Sequence, residues 1–391
     1  MFDLAMLEKF VAQHGQFILL DWLIENGHLA YSDYEQWRYG KITLLSDVIN
    51  LKAKDLSTLI TTVNVQCKTF KLSGEPYPYF AWNSQPPKLL RAATDPRVQD
   101  AFYKRWLRPQ DIPQLDLFMD NSEIITENSL CDALANRQYE QAHGFINALT
   151  TINPNNTKLG GYQSLLLYSQ HVLANPTIID ADIYNAELNG LELEVLPLAQ
   201  KLLQRGARDY LAVAWRRLAD HVKTFNYDSE KPKLHSSYCY SQIPDWQSVV
   251  SVLFKSPSTF DHCFLIINLA NAFAQLNDQY KARYCWALAF EQFPQQAQEL
   301  IEEQQPACVI GDWDNFGELN DGWPDVFFAG FILASQPALI YQAEYFPEFK
   351  QLSTQLVAEL MAKKLAQDNE IACRQKLQAF SPSLLRMVMG I

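Results

Sequence analysis

The sequence predicts an all-α protein. Apolar residues recur at spacings of three and four along most of the chain, which places them on one face of a helix. Strict alternation of apolar and polar residues, which is typical of strands, is almost absent, and only 14 of the 391 residues are glycine. Hydrophobic residues make up 48% and aromatic residues 13% of the chain, so we expect a large buried core.

Composition also narrows the class of partner. The formal net charge of −12 disfavours general binding to nucleic acid or to an anionic membrane, because both carry negative charge. We find neither a secretory signal pattern nor an apolar run long enough to cross a bilayer. The seven cysteines are scattered and form no Cys-x-x-Cys pair, so we expect reduced core thiols. These features predict a cytoplasmic protein.

Residues 1–72 are predicted to form an N-terminal helical subdomain. The sequence from Ser32 to Glu35 fits a capping box, in which two side chains satisfy backbone N–H groups at the start of a helix. Before it, five apolar residues at helical spacing predict one helix that ends at Gly27. These five residues are Phe10, Phe17, Leu20, Leu23 and Ile24.

Residues 73–120 are predicted to be a connector followed by a helix. Residues 73–87 contain four prolines and four aromatic residues, and a proline inside a helix removes a hydrogen bond and clashes with the preceding turn. A long helix is therefore excluded from this stretch. Either a domain boundary or a packed aromatic loop fits the composition, and we take it as a boundary.

Residues 121–391 are predicted to be a helical repeat region, because residues 263–296 carry a distinctive pattern. Two helices are separated by a turn around Asn277 and Asp278, with small residues where the helices cross and large ones beside them. A proline follows the second helix. The pattern consists of Ile266, Leu269, Ala270 and Phe273, then Ala282, Trp286, Ala289 and Pro294.

This pattern resembles the signature of tetratricopeptide (TPR) repeats, in which antiparallel helix pairs stack side by side. It departs from the signature at Ile266, where a tryptophan is usual, and at Ala270, where a glycine is usual. Residues 123–156 form a weaker copy, because Ala142 and Pro154 have the same spacing as the alanine and the proline of the second helix in the clear copy. The resemblance covers about two hairpins.

The resemblance implies an irregular TPR-like α-solenoid with no enzymatic activity. Such stacks bind a protein or peptide segment in their concave groove, which the first helix of each pair lines. The polar positions on the first helix of the clear hairpin are therefore the predicted groove residues. They are Asn268, Asn271 and Gln275. This interpretation includes no cofactor and no metal, and the identity of the partner stays open.

An enzyme or a ligand-binding protein is the alternative interpretation. Residues 235–240 place His235 four positions before Cys239, and a nucleophile needs a base within hydrogen-bonding reach. Residues 311–325 are predicted to be an acidic, aromatic loop that begins like a calcium loop at Asp312 and Asp314. The calcium pattern then fails at Phe316 and at the residue that should supply a bidentate glutamate. A shared pocket would be needed for this alternative to hold.

Two local basic stretches leave a third interpretation open. Basic residues beside aromatic ones can bind phosphates and stack on bases, but on amphipathic helices they more often form the polar face. The residues in question are Lys104, Arg105, Arg216 and Arg217. Because the rest of the chain is acidic, we expect an acidic peptide or a carboxylate tail there in preference to nucleic acid.

Overall fold

The computed structural model describes residues 2–82, 84, 88–108, 122–175, 181–223, 227–256, 258–319 and 322–390. It is 72% helix and 4% strand, so the all-α prediction is confirmed. The chain forms two compact units. The first comprises Met1–Phe225 with Gln242–Asp245, and the second comprises Asn226–Ser241 with Trp246–Ile391. This division differs from the three segments predicted from the sequence.

The first half of the first unit contains short helices around a small sheet. The helices are α1 (Leu4–His14), α2 (Leu19–Glu25), α3 (Tyr31–Arg38), α4 (Ala53–Thr69) and α5 (Pro96–Phe102), with a 3-10 helix at Leu45–Val48. The strands are β1 (Gln16–Ile18), β2 (Ser73–Pro76) and β3 (Lys104–Leu107). Strand β3 is central and antiparallel to both others, with Trp106 opposite Phe17 on one side and Gly74 on the other. The sheet therefore joins segments from both sides of the predicted boundary at residue 72.

The remaining helices of the first unit form a longer series. They are α6 (Ser122–Ala135), α7 (Tyr139–Ile152), α8 (Leu159–Ala174), α9 (Ala181–Gly190), α10 (Leu196–Leu203) and α11 (Ala207–Val222). A π-helical turn at Leu191–Val195 joins α9 to α10, and a 3-10 turn at Gln204–Gly206 precedes α11. Pro197 has no N–H to bond to the carbonyl group four residues earlier, which accounts for the wider turn beside it.

The second unit continues the helical series. Its helices are α12 (Ser236–Gln242), α13 (Trp246–Lys255), α14 (Cys263–Gln275), α15 (Gln279–Gln292), α16 (Pro294–Gln304), α17 (Ile310–Leu319), α18 (Phe327–Ser335), α19 (Leu352–Leu365), α20 (Ile371–Phe380) and α21 (Pro382–Gly390). Two 3-10 helices lie at Thr259–Asp261 and Pro337–Tyr345. None of the described helices is long and apolar enough to span a membrane.

The two predicted hairpins are the pairs α6–α7 and α14–α15, and their turns have the same geometry. Arg137 in the first turn and Asn277 in the second adopt positive φ angles of 61° and 60°. In each turn the next residue donates its N–H to a carbonyl five residues earlier, at 2.8 Å for Gln138 and 2.9 Å for Asp278. This left-handed closure ends a helix and reverses the chain, and glycine or asparagine usually supplies it. An arginine there is therefore unusual.

Helix α15 is more enclosed than the sequence analysis implied. Its residues from Tyr284 to Glu291 are all buried, and α14, α16 and α18 pack against it. Helix α13 lies against α14, so the hairpin has a neighbour on that side as well. In a simple stack each pair contacts only the pairs before and after it. The additional helix α18 gives α15 a central position in the second unit.

Three local predictions are wrong. The helix predicted to run through Phe10 and Ile24 is divided, because Gly15 adopts a φ of 73° and strand β1 follows it. Helix α3 begins at Tyr31, with no side-chain cap, instead of at the predicted capping box. Most of the predicted acidic loop is helix α17, whose aromatic side chains pack on each other and on Phe328. Burial of those rings outweighs the weak helix propensity of the sequence.

Candidate functional site

Two adjoining clefts lie on the surface of the first unit. The first cleft has a volume of about 480 Å³ and lies among α3, α8 and α11. The side chains that line it are both polar and apolar. They include Ser32, Glu35, Gln36, Tyr39, Arg216 and Arg217.

The second cleft has a volume of about 930 Å³ and lies at the N-terminal end of α7. Its lining includes Gln138, Gln141, Gln170 and His143. Arg137 and Leu173 line both clefts, so the two clefts meet along these side chains. We call the combined depression the Arg137 groove.

Arg137 is the central residue of the groove. Its guanidinium group donates to the hydroxyl oxygen of Tyr39 at 2.6 Å, to Oε1 of Glu35 at 3.0 Å and to the carbonyl oxygen of Asp209 at 3.1 Å. Its Cζ lies 3.8 Å from the ring centroid of Trp82. Burial disfavours the charged form, but Tyr31 and Glu35 outweigh that effect and raise the pKa of Arg137. The side chain is therefore a buried, permanently charged group.

A buried ion network around Asp209 lies next to Arg137. Asp209 accepts hydrogen bonds from the hydroxyl groups of Tyr31 at 3.0 Å and Tyr34 at 2.6 Å. Burial alone would raise the pKa of Asp209, but Arg208 and Arg38 lower the pKa to about 2. The carboxylate is ionised at neutral pH. Because buried charges are costly unless they are paired, the network fixes α3 and α11 in one arrangement.

Arg216 and Arg217, two of the predicted basic residues, line the first cleft. Arg216 donates to Glu35 at 2.5 Å and to Asp245 at 2.8 Å, whereas its Nη2 is buried and has no hydrogen-bond partner among the described residues. Arg217 bonds to Glu187 and to the carbonyl oxygen of Asn175. Both side chains are therefore held rigidly by carboxylates or carbonyl oxygens.

The other two predicted basic residues lie on strand β3. Lys104 pairs with Asp100 at 2.8 Å, and Arg105 pairs with Glu75 at 2.9 Å. Neither residue is among those that line the two clefts. The four basic residues thus divide into a pair on a strand and a pair on a helix, and every one of them has a carboxylate partner.

The predicted groove residues of the second unit share one face of α14. Asn268 and Asn271 are half-buried, and Gln275 is exposed. Asn271 donates from Nδ2 to Oε1 of Gln304 at 3.0 Å, which connects α14 to α16. The face is polar and is partly open to solvent.

The segment proposed for an enzyme consists of His235 and the first turns of α12, and most of its side chains are buried. His235 Nδ1 lies 2.8 Å from the Oγ of Ser237, and burial lowers the pKa of His235 to about 4. Cys239 is fully buried. Both side chains are thus enclosed, whereas a nucleophile and its base must reach a substrate.

The predicted acidic loop forms no ion site within the described residues. Asp312 bonds to Arg283, and burial raises the pKa of Asp312 although Arg283 opposes the shift. No group of three His, Cys, Asp or Glu side chains in the described part of the chain is arranged to hold a metal ion. The shared pocket that the enzyme alternative requires would also need Asp312 or Asp314 beside His235, and neither cleft contains these residues.

Sequence reasoning missed the residues at the centre of the groove. Arg137 and Glu35 are separated by 102 positions, and Tyr31 and Asp209 by 178 positions, so no local spacing connects them. One signal was available. Arg137 occupies the turn position that Asn277 occupies in the clear hairpin, and a long charged residue is rare at a left-handed turn.

The fold and the groove define a mostly helical protein of two compact units, with an open groove of polar and apolar side chains on the first. Comparison of the chain with protein-family models, with curated proteins and with solved structures finds no match.

Proposed function

We propose that the protein is a non-enzymatic binding protein whose Arg137 groove holds a peptide segment of a partner protein. The observation that carries this proposal is the junction of two open clefts along Arg137 and Leu173. Both clefts are open to solvent and are lined by polar as well as apolar side chains, unlike the enclosed, mostly apolar pockets that usually hold small molecules. An extended chain segment fits such a depression.

The side chains of the groove suit a peptide backbone. Every residue of a peptide except proline brings one N–H donor and one C=O acceptor, and a glutamine amide can pair with both. Four glutamines line the groove: Gln36, Gln138, Gln141 and Gln170. Leu173 is 57% exposed and offers an apolar contact at the junction of the clefts. The combination provides backbone hydrogen bonds and one position for an apolar side chain.

The sequence resemblance supports the same class of function. Residues from Arg137 to Gln141 come from the turn and second helix of the weaker TPR-like hairpin, whereas the first helices line the groove of TPR stacks, so the resemblance supports the class of function and not this position. Peptide binding is what that resemblance implies. The polar face of α14, with Asn268, Asn271 and Gln275, remains a second proposed surface for the partner.

The test is a selection from a displayed library of random twelve-residue peptides. We expect enriched peptides that bind the wild-type protein and bind Leu173→Asp at least about tenfold more weakly, because a charge at the junction opposes apolar contact. The matched control is Leu167→Asp, since Leu167 lies on the same helix, is 64% exposed and is not among the lining residues. Enrichment of no peptide, or equal binding by the two variants, would overturn the proposal.

A further inference from the structure

The outer face of helix α4 is exposed to solvent. The buried residues of α4 lie on one stripe, against which α1 and α5 pack. Lys54, Val65 and Lys68 lie on the opposite side and are exposed, Val65 to 56%. Asp55, the one carboxylate in the sequence of α4, lies in the first turn. The outer side of the helix is therefore cationic, with an apolar residue between its two lysines.

Two further cations adjoin the C-terminal end of α4. Lys71 is exposed just beyond the helix, and the guanidinium group of Arg108 lies 5.8 Å from the ring centroid of Phe70. Carboxylates pair with Lys104 and Arg105 on β3, but no ion pair joins the cations at positions 54, 68, 71 and 108 to another described residue. We call this surface the basic face. It consists of Lys54, Val65, Lys68, Lys71 and Arg108.

Helix α16 of the second unit carries the opposite charge. Spacings of three and four place Glu299, Glu302 and Glu303 together on the side of α16 that faces away from its buried residues. All three glutamates are exposed, and no ion pair joins them to another described residue. Their surroundings in the sequence are acidic too, because residues 284–349 contain eleven Asp or Glu residues and no Lys or Arg. We call these three glutamates the acidic face.

We propose that the basic face of one copy of the protein binds the acidic face of a second copy. The two faces carry opposite charges and belong to different units of the chain. Two basic faces in contact would bring like charges together, so the contact joins unlike faces. A nucleic acid is negative along its whole length, and a protein with a net charge of −12 repels it. The contact uses no residue of the Arg137 groove and does not depend on peptide binding.

Two acidic copies also repel each other as whole molecules, and salt separates this repulsion from the local attraction. At about 0.15 M salt the Debye length is about 8 Å, so charges spread over the two molecules are largely screened while groups in contact still attract. At about 1 M salt the Debye length falls to about 3 Å, and the local attraction is screened as well. Exposed ion pairs are individually weak. The association should therefore be weak, present near physiological salt and lost at high salt.

Sedimentation velocity of the whole protein measures this association. We expect the sedimentation coefficient to rise with protein concentration up to about 0.2 mM at about 0.15 M salt. At about 1 M salt it should keep the value of the monomer. A coefficient that does not rise with concentration at the lower salt overturns the proposal, including where the protein binds a DNA duplex of random sequence instead.

Charge reversal tests whether these two faces form the contact. Lys54→Glu with Lys68→Glu reverses the charge of the basic face, and Glu299→Lys with Glu302→Lys reverses that of the acidic face. All four side chains are exposed, so neither double variant disturbs a buried group. We expect each double variant alone to associate at least about tenfold more weakly than the wild type, because two attractive pairs become repulsive. Unchanged association of either variant overturns the proposal.

A mixture of the two double variants gives the decisive result. The first retains its acidic face and the second retains its basic face, so an equimolar mixture should associate within about threefold of the wild type. Recovery in the mixture also shows that both variants are folded. Lys201→Glu with Lys255→Glu is the control for net charge, because both lysines are exposed on other helices, and it should lose little. No association in the mixture, or a loss in the control equal to that of the basic-face variant, overturns the proposal.

Discussion

The Cζ atom of Arg137 lies 3.8 Å from the ring centroid of Trp82, and the guanidinium group of Arg38 lies 4.7 Å from the same ring. Two cations on one indole ring are favourable only where water is largely excluded and carboxylates balance the charge. Glu35 and Asp209 supply that balance. The groove therefore rests on a rigid base that joins α3, α11 and the turn between α6 and α7.

Arg137→Gly should distinguish two contributions to the free energy of unfolding. One is the strain of the positive φ angle at residue 137, and the other is the stabilisation by the buried ion network of the Arg137 side chain. Glycine adopts a positive φ without strain, so the effect on the backbone alone would stabilise the protein. The substitution also removes Arg137 as an ion-pair partner of the buried Glu35. We therefore expect a net loss of about 3 kcal/mol in the free energy of unfolding. Urea unfolding of the whole protein measures the change.

Lys71→Gly is the matched control for that experiment. Lys71 adopts a φ of 56° in the same unit and is exposed. Without a buried network to lose, this variant should be neutral or more stable by up to about 1 kcal/mol. If both glycine variants behaved alike, Arg137 would be a turn residue only.

Protonation of His235 should destabilise the second unit in acid. Its Nδ1 accepts the backbone N–H of Ser237 at 3.3 Å and lies 2.8 Å from the Ser237 Oγ, and burial lowers the pKa of the ring to about 4. Because the folded pKa lies below the unfolded value, the stabilisation is complete above about pH 6.5 and is lost as the pH falls toward 4. The loss should reach about 3 kcal/mol, measured by urea unfolding across this pH range.

His235→Asn is the comparison for that measurement, because asparagine retains a hydrogen-bonding group and does not titrate. Its free energy of unfolding should vary less between pH 6.5 and 4 than that of the wild type. An NMR titration in which the His235 ring signals move near pH 6.5 would contradict the prediction, since a freely exposed imidazole titrates there.

Glu291 gives the opposite pH dependence from His235. It is almost completely buried at the end of α15, where it accepts the backbone N–H of Gln351, and burial raises its pKa. A raised folded pKa gives stability that is present below the unfolded pKa and is lost as the pH rises through the folded pKa. Glu291→Gln should therefore be more stable than the wild type at pH 7, because glutamine avoids the cost of a buried ionised carboxylate.

The advantage of Glu291→Gln should disappear near pH 4, where the wild-type carboxyl group is also neutral. Glu299→Gln, at an exposed position on α16, is the control and should change stability little at either pH. Equal effects of the two substitutions at pH 7 would show that Glu291 is not penalised by burial.

The sequence predicts helices well where short-range spacing decides the structure. Both hairpins and the turn at Asn277 follow from residues within one or two helical turns of each other. Prediction fails where contacts between residues far apart in the sequence decide the structure. The aromatic rings of α17 pack on Phe328, and β1 exists because β3 lies beside it. Neither partner is visible from the local sequence, so a loop and a continuous helix were predicted there.

The candidate site was predictable only in part, for the same reason. Arg216 and Arg217 were identified from their local basic setting, and both line the first cleft. Glu35 bonds both Arg137 and Arg216 but lies far from them in the chain. Its neighbours in the sequence predict only an ordinary helix, so nothing local marks Glu35 as a site residue. The network becomes apparent only when α3 and α11 are placed together.

Gly206→Ala tests how the groove is held together. A Cβ atom at Gly206 would lie 2.8 Å from the Cβ of Ala135, which is too close for two carbon atoms. Because Gly206 has no side chain, the start of α11 can approach the end of α6. Helix α6 ends at Ala135, two residues before Arg137. Since a Cβ cannot rotate away, we expect a loss of about 1–3 kcal/mol in the free energy of unfolding. Gly160→Ala, in open space on α8, is the control and should stabilise the protein by about 1 kcal/mol. A stabilising effect of both alanines would mean that this close approach is not required.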